Sequence, residues 1–209
     1  MTRKILLFAA AVLALPLGAR AESSDLMRRG HSPAYYEPRT RPQARQGLLL
    51  SVGAGGGSLY LSPEGPGRFG AADLDFRIGY GFSDQFQTFM DFNADMANDF
   101  YGDSVGSWSW TLRGQLLLIG DRAGNGLNVN FGAGFGGLTY DPGFYGPGTS
   151  SPTGFALAGG LSYDARILPN VSLSPEFFFT WHEIPNVPGI PDDVSSVYGI
   201  RFNVLWYLH

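Results

Sequence analysis

The chain has 209 residues, of which 30 are glycine, 14% are aromatic and only 15% are charged. This composition excludes a disordered chain, and the body of the sequence has no apolar run long enough for a membrane helix. A formal net charge of −4 does not indicate nucleic-acid binding, and the lack of cysteine excludes thiolate metal sites and thiol catalysis. Short alternating segments between Gly, Pro, Asn and Asp residues predict an all-β fold.

The N-terminus has the features of a secretory signal peptide. Two basic residues near the start precede an apolar segment at 5–17, and residues 19–21 form an A-x-A cleavage site. A membrane anchor is the alternative, but the apolar segment is shorter than the roughly 20 residues that a membrane-spanning helix needs. We therefore expect a signal peptide over 1–21 and a mature chain that begins at Glu22.

Residues 22–45 have no strand or helix periodicity. They contain three prolines and five arginines. This composition predicts a flexible periplasmic lead-in to the folded domain. Docking of the arginines to an acidic partner is an alternative, and the sequence leaves open whether this segment binds anything.

From residue 46 to the C-terminus the sequence predicts one β-barrel domain, 46–209, with eight strands. In the second strand, large apolar residues such as Leu74 and Phe76 alternate with charged or small residues such as Asp75 and Arg77. Side chains alternate between the two faces of a strand, so one face is apolar and the other polar. The predicted strands are 46–61, 68–82, 85–97, 105–119, 126–140, 153–165, 170–184 and 194–208.

The connections between these strands differ in length according to the end at which they lie. If the N-terminus is periplasmic, the outer loops are 62–67, 98–104, 141–152 and 185–193, and the periplasmic turns are 83–84, 120–125 and 166–169. The periplasmic set is generally shorter. Short periplasmic turns, longer outer loops and an even strand number are typical of bacterial outer-membrane barrels.

Three features indicate that the apolar face meets lipid rather than the core of a soluble barrel. Many strands have about 12–15 residues, enough for the roughly 9–11 that cross a membrane when tilted. The polar face is rich in glycine, which fits the narrow interior of eight strands. Aromatic residues on the apolar face lie near the strand ends, as in the aromatic girdles of membrane barrels. The girdle residues are Tyr80, Trp108, Trp110, Tyr163, Trp181, Tyr198 and Trp206.

The polar face also carries charges in the middle third of the strands. In lipid, each arginine there would cost about 2–4 kcal/mol, so we expect these groups to pair inside the lumen. Glu176 and Arg201 lie on neighbouring strands and are the expected pair, although strand stagger could substitute Asp91 or Asp75 for Glu176. Solvated charges on a soluble sheet are the alternative. The expected network contains Asp75, Arg77, Asp91, Arg113, Glu176 and Arg201.

The final strand is the segment that most specifically resembles a known family. Gly199 is followed by Ile200, Phe202, Val204 and Trp206, which is similar to the C-terminal signal that the barrel-assembly machinery reads. Over residues 46–209 the chain resembles the small outer-membrane barrels of the OmpA and OmpX type. It departs from them by ending on a histidine, not on an aromatic residue. The resemblance implies an outer-membrane location with outer-membrane lipids, lipopolysaccharide and the assembly machinery as partners.

Some barrels of this size modify lipid A with a histidine and a serine near the outer rim. Here His182 ends the seventh strand, Ser195 and Ser196 begin the eighth, and Asp192 and Asp193 precede them. These residue types could supply a base, a nucleophile and an orienting acid. However, the His-x-Ser-Asn pattern of the lipid A deacylases is missing, and strand parity points His182 into the lumen. We therefore expect no enzyme activity.

Other sites are weakly indicated. Oxygen ligands for calcium could come from five acidic residues, but no loop has an ordered ligand spacing. We expect solvated carboxylates, with no metal and no cofactor. The acidic residues are Asp73, Asp75, Asp95, Asp99 and Asp103. The longest outer loop carries Phe144 and Tyr145, which makes it the best candidate for contact with an unknown surface ligand.

Together these observations predict an integral outer-membrane barrel with a structural or surface-interaction role. Its ion-paired lumen would leave little or no pore, because eight strands enclose a space only just wide enough for their side chains. The alternatives are a lipid-modifying enzyme and a soluble secreted β-barrel that binds a ligand.

Overall fold

The computed structural model describes residues 45–62, 68–98, 104–121, 124–141, 148–185 and 193–208. The predicted signal peptide 1–21 and the lead-in up to residue 44 lie outside the described residues, as do Phe144 and Tyr145. Within the described ranges, no helix is long and apolar enough to cross a membrane.

Eight long strands form an antiparallel sheet that closes on itself, which confirms the predicted fold class. Every long strand begins and ends within three residues of its predicted bounds. A two-residue strand, β6, only extends the edge of β5. The strands in the described ranges are β1 (Gly47–Ser62), β2 (Arg68–Gly81), β3 (Phe86–Asn98), β4 (Ser104–Gly120), β5 (Gly126–Asp141), β6 (Thr149–Ser150), β7 (Gly154–Leu168), β8 (Val171–Ile184) and β9 (Asp193–Leu208).

The barrel closes between its first and last strands. Each long strand pairs with its sequence neighbours, and β1 pairs with both β2 and β9. The contact between β1 and β9 runs from Leu48 opposite Leu208 to Ser62 opposite Val194. Nearly every backbone group of these strands can therefore pair within the sheet, as a spanning segment in lipid requires.

The short connections lie together at one end of the barrel, called here the turn end, and the opposite end is called the loop end. Between β2 and β3, the Ser83 hydroxyl accepts a hydrogen bond of 3.0 Å from the backbone N–H of Phe86. Between β4 and β5, a carboxylate oxygen of Asp121 accepts one of 3.0 Å from the backbone N–H of Asn125. Gly124 in that turn has a φ of 94°, which other residues rarely adopt.

The side chains alternate between an apolar outer face and a polar lumen. On β2, Leu74 is 53% exposed on the outer face, whereas its neighbours Asp73 and Asp75 are buried in the lumen. A soluble barrel buries its apolar face inside. The opposite arrangement here is that of a barrel whose outer face meets lipid.

The lumen is filled in layers. An apolar cluster near the loop end contains Leu59, Ala71, Ala97, Val105, Phe178 and Val197. A second apolar cluster, nearer the turn end, contains Leu49, Phe89, Leu205 and Tyr207. Charged side chains lie in the lumen as well. Phe178 is an apolar residue on the polar face of its strand. It contacts a charged side chain there, because the Arg201 guanidinium carbon lies 4.4 Å from the centre of its ring, within the range of a cation–π interaction.

Candidate functional site

The strongest concentration of chemistry in the barrel is the group of charges in the lumen. The structure brings the six side chains that the sequence analysis assigns to the lumen together there, and each is buried. They come from β2, β3, β4, β8 and β9. The six are Asp75, Arg77, Asp91, Arg113, Glu176 and Arg201.

Glu176 is the centre of this group. Its Oε2 lies 3.0 Å from Arg201 Nε on the adjacent strand, and it also accepts a hydrogen bond from Arg77 Nη2 across the lumen. Two amides complete its shell, because Asn203 Nδ2 lies 2.8 Å from Oε2 and Asn130 Nδ2 lies 2.7 Å from Oε1. One carboxylate thus contacts two arginines and two asparagines.

The remaining members connect to the same centre. Asp91 lies between two arginines, with Oδ1 3.0 Å from Arg77 Nε and Oδ2 2.5 Å from Arg113 Nη2. Asp75 also lies between two arginines, with Oδ2 2.8 Å from Arg77 Nε and Oδ1 2.8 Å from Arg201 Nη1. The six charges therefore form one continuous network. Buried ions of this kind are tolerated only when each has a partner.

Glycines and aromatic rings provide the space and contacts that these arginines need. The Arg77 guanidinium carbon lies 4.9 Å from the centre of the Phe89 ring. On β5, a Cβ at Gly132 would lie only 2.7 Å from Cγ of Arg113. The glycine-rich polar face of β5 therefore lets a long charged side chain lie flat against the backbone.

A separate ion pair lies at the turn end. Arg45 Nη2 lies 2.5 Å from Asp164 Oδ2, and both side chains are buried. The amide of Gln87 donates hydrogen bonds of 3.1 Å to the Arg45 carbonyl and 3.3 Å to the Tyr207 hydroxyl. In the sequence, Arg45 is the last residue of the predicted lead-in, and Asp164 is not among the predicted lumen charges. The alternation along β7 could have identified Asp164, because it places this side chain on the face that points into the lumen.

The predicted girdle residues all lie on the outer face. Tyr80 and Tyr163 are exposed near the turn end, and Trp110 and Tyr198 near the loop end. Several aromatic residues contact one another across strands, such as Phe92 and Trp110 with ring centres 5.1 Å apart. Trp108, Trp181 and Trp206 are half-buried among neighbouring side chains of the same outer face.

Of the residues considered for lipid modification, the structure describes the side chains of His182, Ser195 and Ser196. His182 and Ser195 are opposite each other in the register of β8 and β9, and both are buried in the lumen. Within the described part of the chain, neither ring nitrogen of His182 nor the Ser195 hydroxyl has a hydrogen-bond partner. Asp192 and the side chain of Asp193 lie outside the described residues.

The acidic residues considered for calcium differ from expectation. Asp73, Asp75 and Asp95 are buried rather than solvated, because strand parity turns them into the filled lumen. Asp99 and Asp103 lie outside the described residues. The described ranges hold no group of three or more His, Cys, Asp or Glu residues placed to bind a metal ion.

A closed eight-stranded barrel with an apolar outer face and a charged, filled lumen is a small transmembrane β-barrel of the outer-membrane class. This confirms the resemblance to barrels of the OmpA and OmpX type. No protein-family model matches the chain, and no curated protein matches it either.

The fold is found in a solved structure as well, and others match it at lower TM-scores. The crystal structure of Neisserial surface protein A matches with a TM-score of 0.54 and 14% identity, over 75% of this chain and 96% of that one. Ail of Yersinia pestis, in complex with the heparin analogue sucrose octasulfate, has a TM-score of 0.47 and 14% identity, over 78% of this chain and 99% of that one. OprG of Pseudomonas aeruginosa has a TM-score of 0.39 and 13% identity, over 79% and 99%. At 14% identity, the likeness to Neisserial surface protein A concerns the fold alone.

Proposed function

We propose that the protein is an integral outer-membrane barrel with a surface-interaction or structural role and little or no pore. The turn end and the N-terminus face the periplasm, and the loop end faces outward. The observation that carries the proposal is the combination of an exposed apolar outer face with a lumen that is filled by apolar side chains and a network of six paired charges. The first feature suits lipid, and the second suits a protein that does not conduct solutes.

The contacts in the lumen support a closed interior. Arg77 on β2 reaches Glu176 on β8, so the network extends across the barrel instead of lining one side. Apolar side chains occupy the lumen nearer each end, with Leu59 in one cluster and Leu49 in the other. An eight-stranded barrel has room for little else. The function is therefore expected at the surface of the barrel, not in its interior.

The loop end is the part best suited to a partner outside the cell. Binding residues occur disproportionately on loops that a rigid scaffold positions. Four connections lie at this end, including the two longest of the barrel, and one of these carries Phe144 and Tyr145, two aromatic residues of the kind enriched in interfaces. Lipopolysaccharide is the expected neighbour of these loops, and the ligand itself is of unknown chemistry.

The orientation can be tested with single cysteines, because the natural chain has none. Pro152→Cys is exposed at the loop end, and Gln85→Cys is its matched control, exposed at the turn end. On intact cells, a membrane-impermeant maleimide should label the first variant and not the second. Both should react once the outer membrane is permeabilised.

Labelling of Gln85→Cys alone on intact cells would show that the topology is inverted. Fractionation of the same cells checks the location, because the folded protein should sediment with outer membranes and migrate differently on a gel before and after boiling. Recovery of the protein in the soluble periplasmic fraction would overturn the membrane assignment.

A further inference from the structure

The buried charges of the lumen do not balance. Among the described residues, six carboxylates and four arginines are fully buried inside the barrel. Arg45 neutralises Asp164 at the turn end, and the other three arginines pair with Asp75, Asp91 and Glu176. Two carboxylates remain beyond these pairs, those of Asp73 and Asp95. Charge of this kind is costly in a buried site unless an ion of the opposite sign or a proton neutralises it.

These two carboxylates are neighbours. Asp73 on β2 is directly opposite Asp95 on β3, and Asp95 is directly opposite Ser107 on β4. All three side chains point into the lumen, and the Cβ atoms of two directly opposite residues lie about 4.5–5.5 Å apart, so Asp95 is close to both Asp73 and Ser107. Asp73 has only a distant cation, Arg201 Nη1 at 3.6 Å, and Asp95 forms no ion pair within the described ranges.

Two uncharged side chains add oxygen atoms to the same place. Asn93 donates a hydrogen bond from its Nδ2 to Asp73, which leaves its Oδ1 as an acceptor. The Ser107 hydroxyl is buried beside Asp95. Apart from the contact between the carboxyl groups of Asp73 and Asp95, no hydrogen-bond partner in the part of the chain that the structure describes reaches Asn93 Oδ1, Ser107 Oγ, Asp73 Oδ1 or either oxygen of Asp95. Five oxygens that no other side chain or backbone N–H of the described residues satisfies therefore lie at neighbouring positions of the lumen, beside a surplus of two negative charges.

We propose that Asp73, Asn93, Asp95 and Ser107 bind a hard divalent cation, for which Ca²⁺ is the best fit. A charge of two balances the surplus, and carboxylate, amide and hydroxyl oxygens are suitable ligands. Ca²⁺ accepts six to eight oxygens in flexible geometry, with water completing the shell, whereas Mg²⁺ requires a near-ideal octahedron. The sequence shows no ordered ligand spacing because the ligands come from three strands, not from one loop.

The surroundings of the site predict slow exchange of the ion. Ala71, Ala97 and Val105 each lie two residues nearer the loop end on the same three strands, and they belong to the buried apolar cluster. Apolar side chains therefore cover the site toward the loop end. The ion is best supplied during folding, before the barrel closes.

The test is to refold the full mature protein into lipid vesicles with Ca²⁺ or with a chelator, and to measure bound calcium and urea unfolding. The folded wild type should retain calcium after desalting and should unfold at higher urea when refolded with Ca²⁺. Asp95→Asn should lose both effects, and in chelator it should be at least as stable as the wild type because the repulsion with Asp73 is removed. Asp84→Asn, an exposed acidic residue at the turn end, is the matched control and should bind calcium normally.

Each outcome decides the proposal. Retention of calcium that depends on Asp95 and Asp73, and is weakened by Ser107→Ala, supports the site. Wild-type stability that is the same with calcium and chelator, with no calcium retained, would overturn it, and a proton shared between the two carboxylates would then explain how they coexist. Equal loss of calcium in Asp84→Asn would mean that the ion binds the surface. None of these results depends on the surface role proposed above.

Discussion

Glu176 and Arg201 are directly opposite each other on adjacent strands, and Glu176 Oε2 lies 3.0 Å from Arg201 Nε. The same carboxylate also contacts Arg77 from the far side of the lumen. Glu176 therefore links the part of the barrel near β8 and β9 to the part near β2. Its removal should affect the stability of the whole barrel.

We expect Glu176→Ala to lower the free energy of unfolding by about 3–5 kcal/mol, because two buried arginines lose a partner. The double replacement Glu176→Leu with Arg201→Met should cost less, since it removes a neutral pair and leaves Arg77 with Asp75 and Asp91. Urea unfolding in lipid vesicles measures both. If the single and double variants unfold like the wild type, the charges do not form a buried network.

The network should also limit conductance. Glu176→Ala leaves an unpaired charge and a gap in the lumen, so single-channel recordings in planar bilayers should show more frequent or larger openings than the wild type. The double apolar replacement fills the same space and should remain closed. Similar conductance in all three proteins would mean that the charges do not close the lumen.

Arg45 should stabilise the turn end although it precedes the first strand. Arg45→Ala leaves Asp164 buried without its partner, and we expect a loss of about 3–5 kcal/mol in the free energy of unfolding. Arg68→Ala is the control, because this arginine is exposed at the start of β2, and it should change stability by no more than about 0.5 kcal/mol. Equal effects of the two substitutions would contradict a specific role for the ion pair with Asp164.

The position of the bilayer can be tested on β4. Leu112 is exposed on the outer face midway along the strand, and Ile119 is exposed at its turn end. Leu112→Arg should lower the free energy of unfolding, measured in vesicles, by about 2–4 kcal/mol. Ile119→Arg should lower it by about 0–1 kcal/mol, because the cost of a charge falls toward the membrane interface. No difference between the two would indicate that the outer face does not meet the hydrocarbon core.

The lipid-modifying alternative is tested by His182→Ala and Ser195→Ala. Both side chains are buried in the lumen, away from the lipid that such an enzyme must reach, and no catalytic hydrogen bond joins them among the described residues. Mass spectrometry of lipid A from cells that express each variant should give the same acyl-chain number as with the wild type. A change that depends on His182 would establish an enzyme.

The strands and the direction of their side chains could be predicted because alternation is a local property with a period of two. Asp75 and Arg77 have inward parity whatever they pair with. Their partners could not be predicted, because the stagger between strands decides which charges share a height. The contact of Arg77 with Glu176 joins residues 99 positions apart and crosses the lumen between strands that are not neighbours.

Two groups were missed for related reasons. Arg45 precedes the alternating pattern, so no periodicity assigns it a side, and its partner Asp164 is 119 residues away. Asp73 and Asp95 are predicted to be solvated because no loop of the sequence shows an ordered ligand spacing. Their opposition follows from the register of β2 and β3, in which each faces the other.

The pairing of β1 with β9 has a consequence for how the chain reaches its folded state. The first strand cannot complete its pairing before the last strand is in place. Closure therefore joins segments from opposite ends of the domain, and such non-local pairing makes folding slow. Until then two sheet edges are open and prone to join other chains. Arg77 near one edge and Glu176 near the other would meet only when the edges do. Charge neutralisation and sheet closure would then occur together, late in folding, and the barrel would fold cooperatively. Until closure, the chain would depend on another protein that binds and protects its open sheet edges.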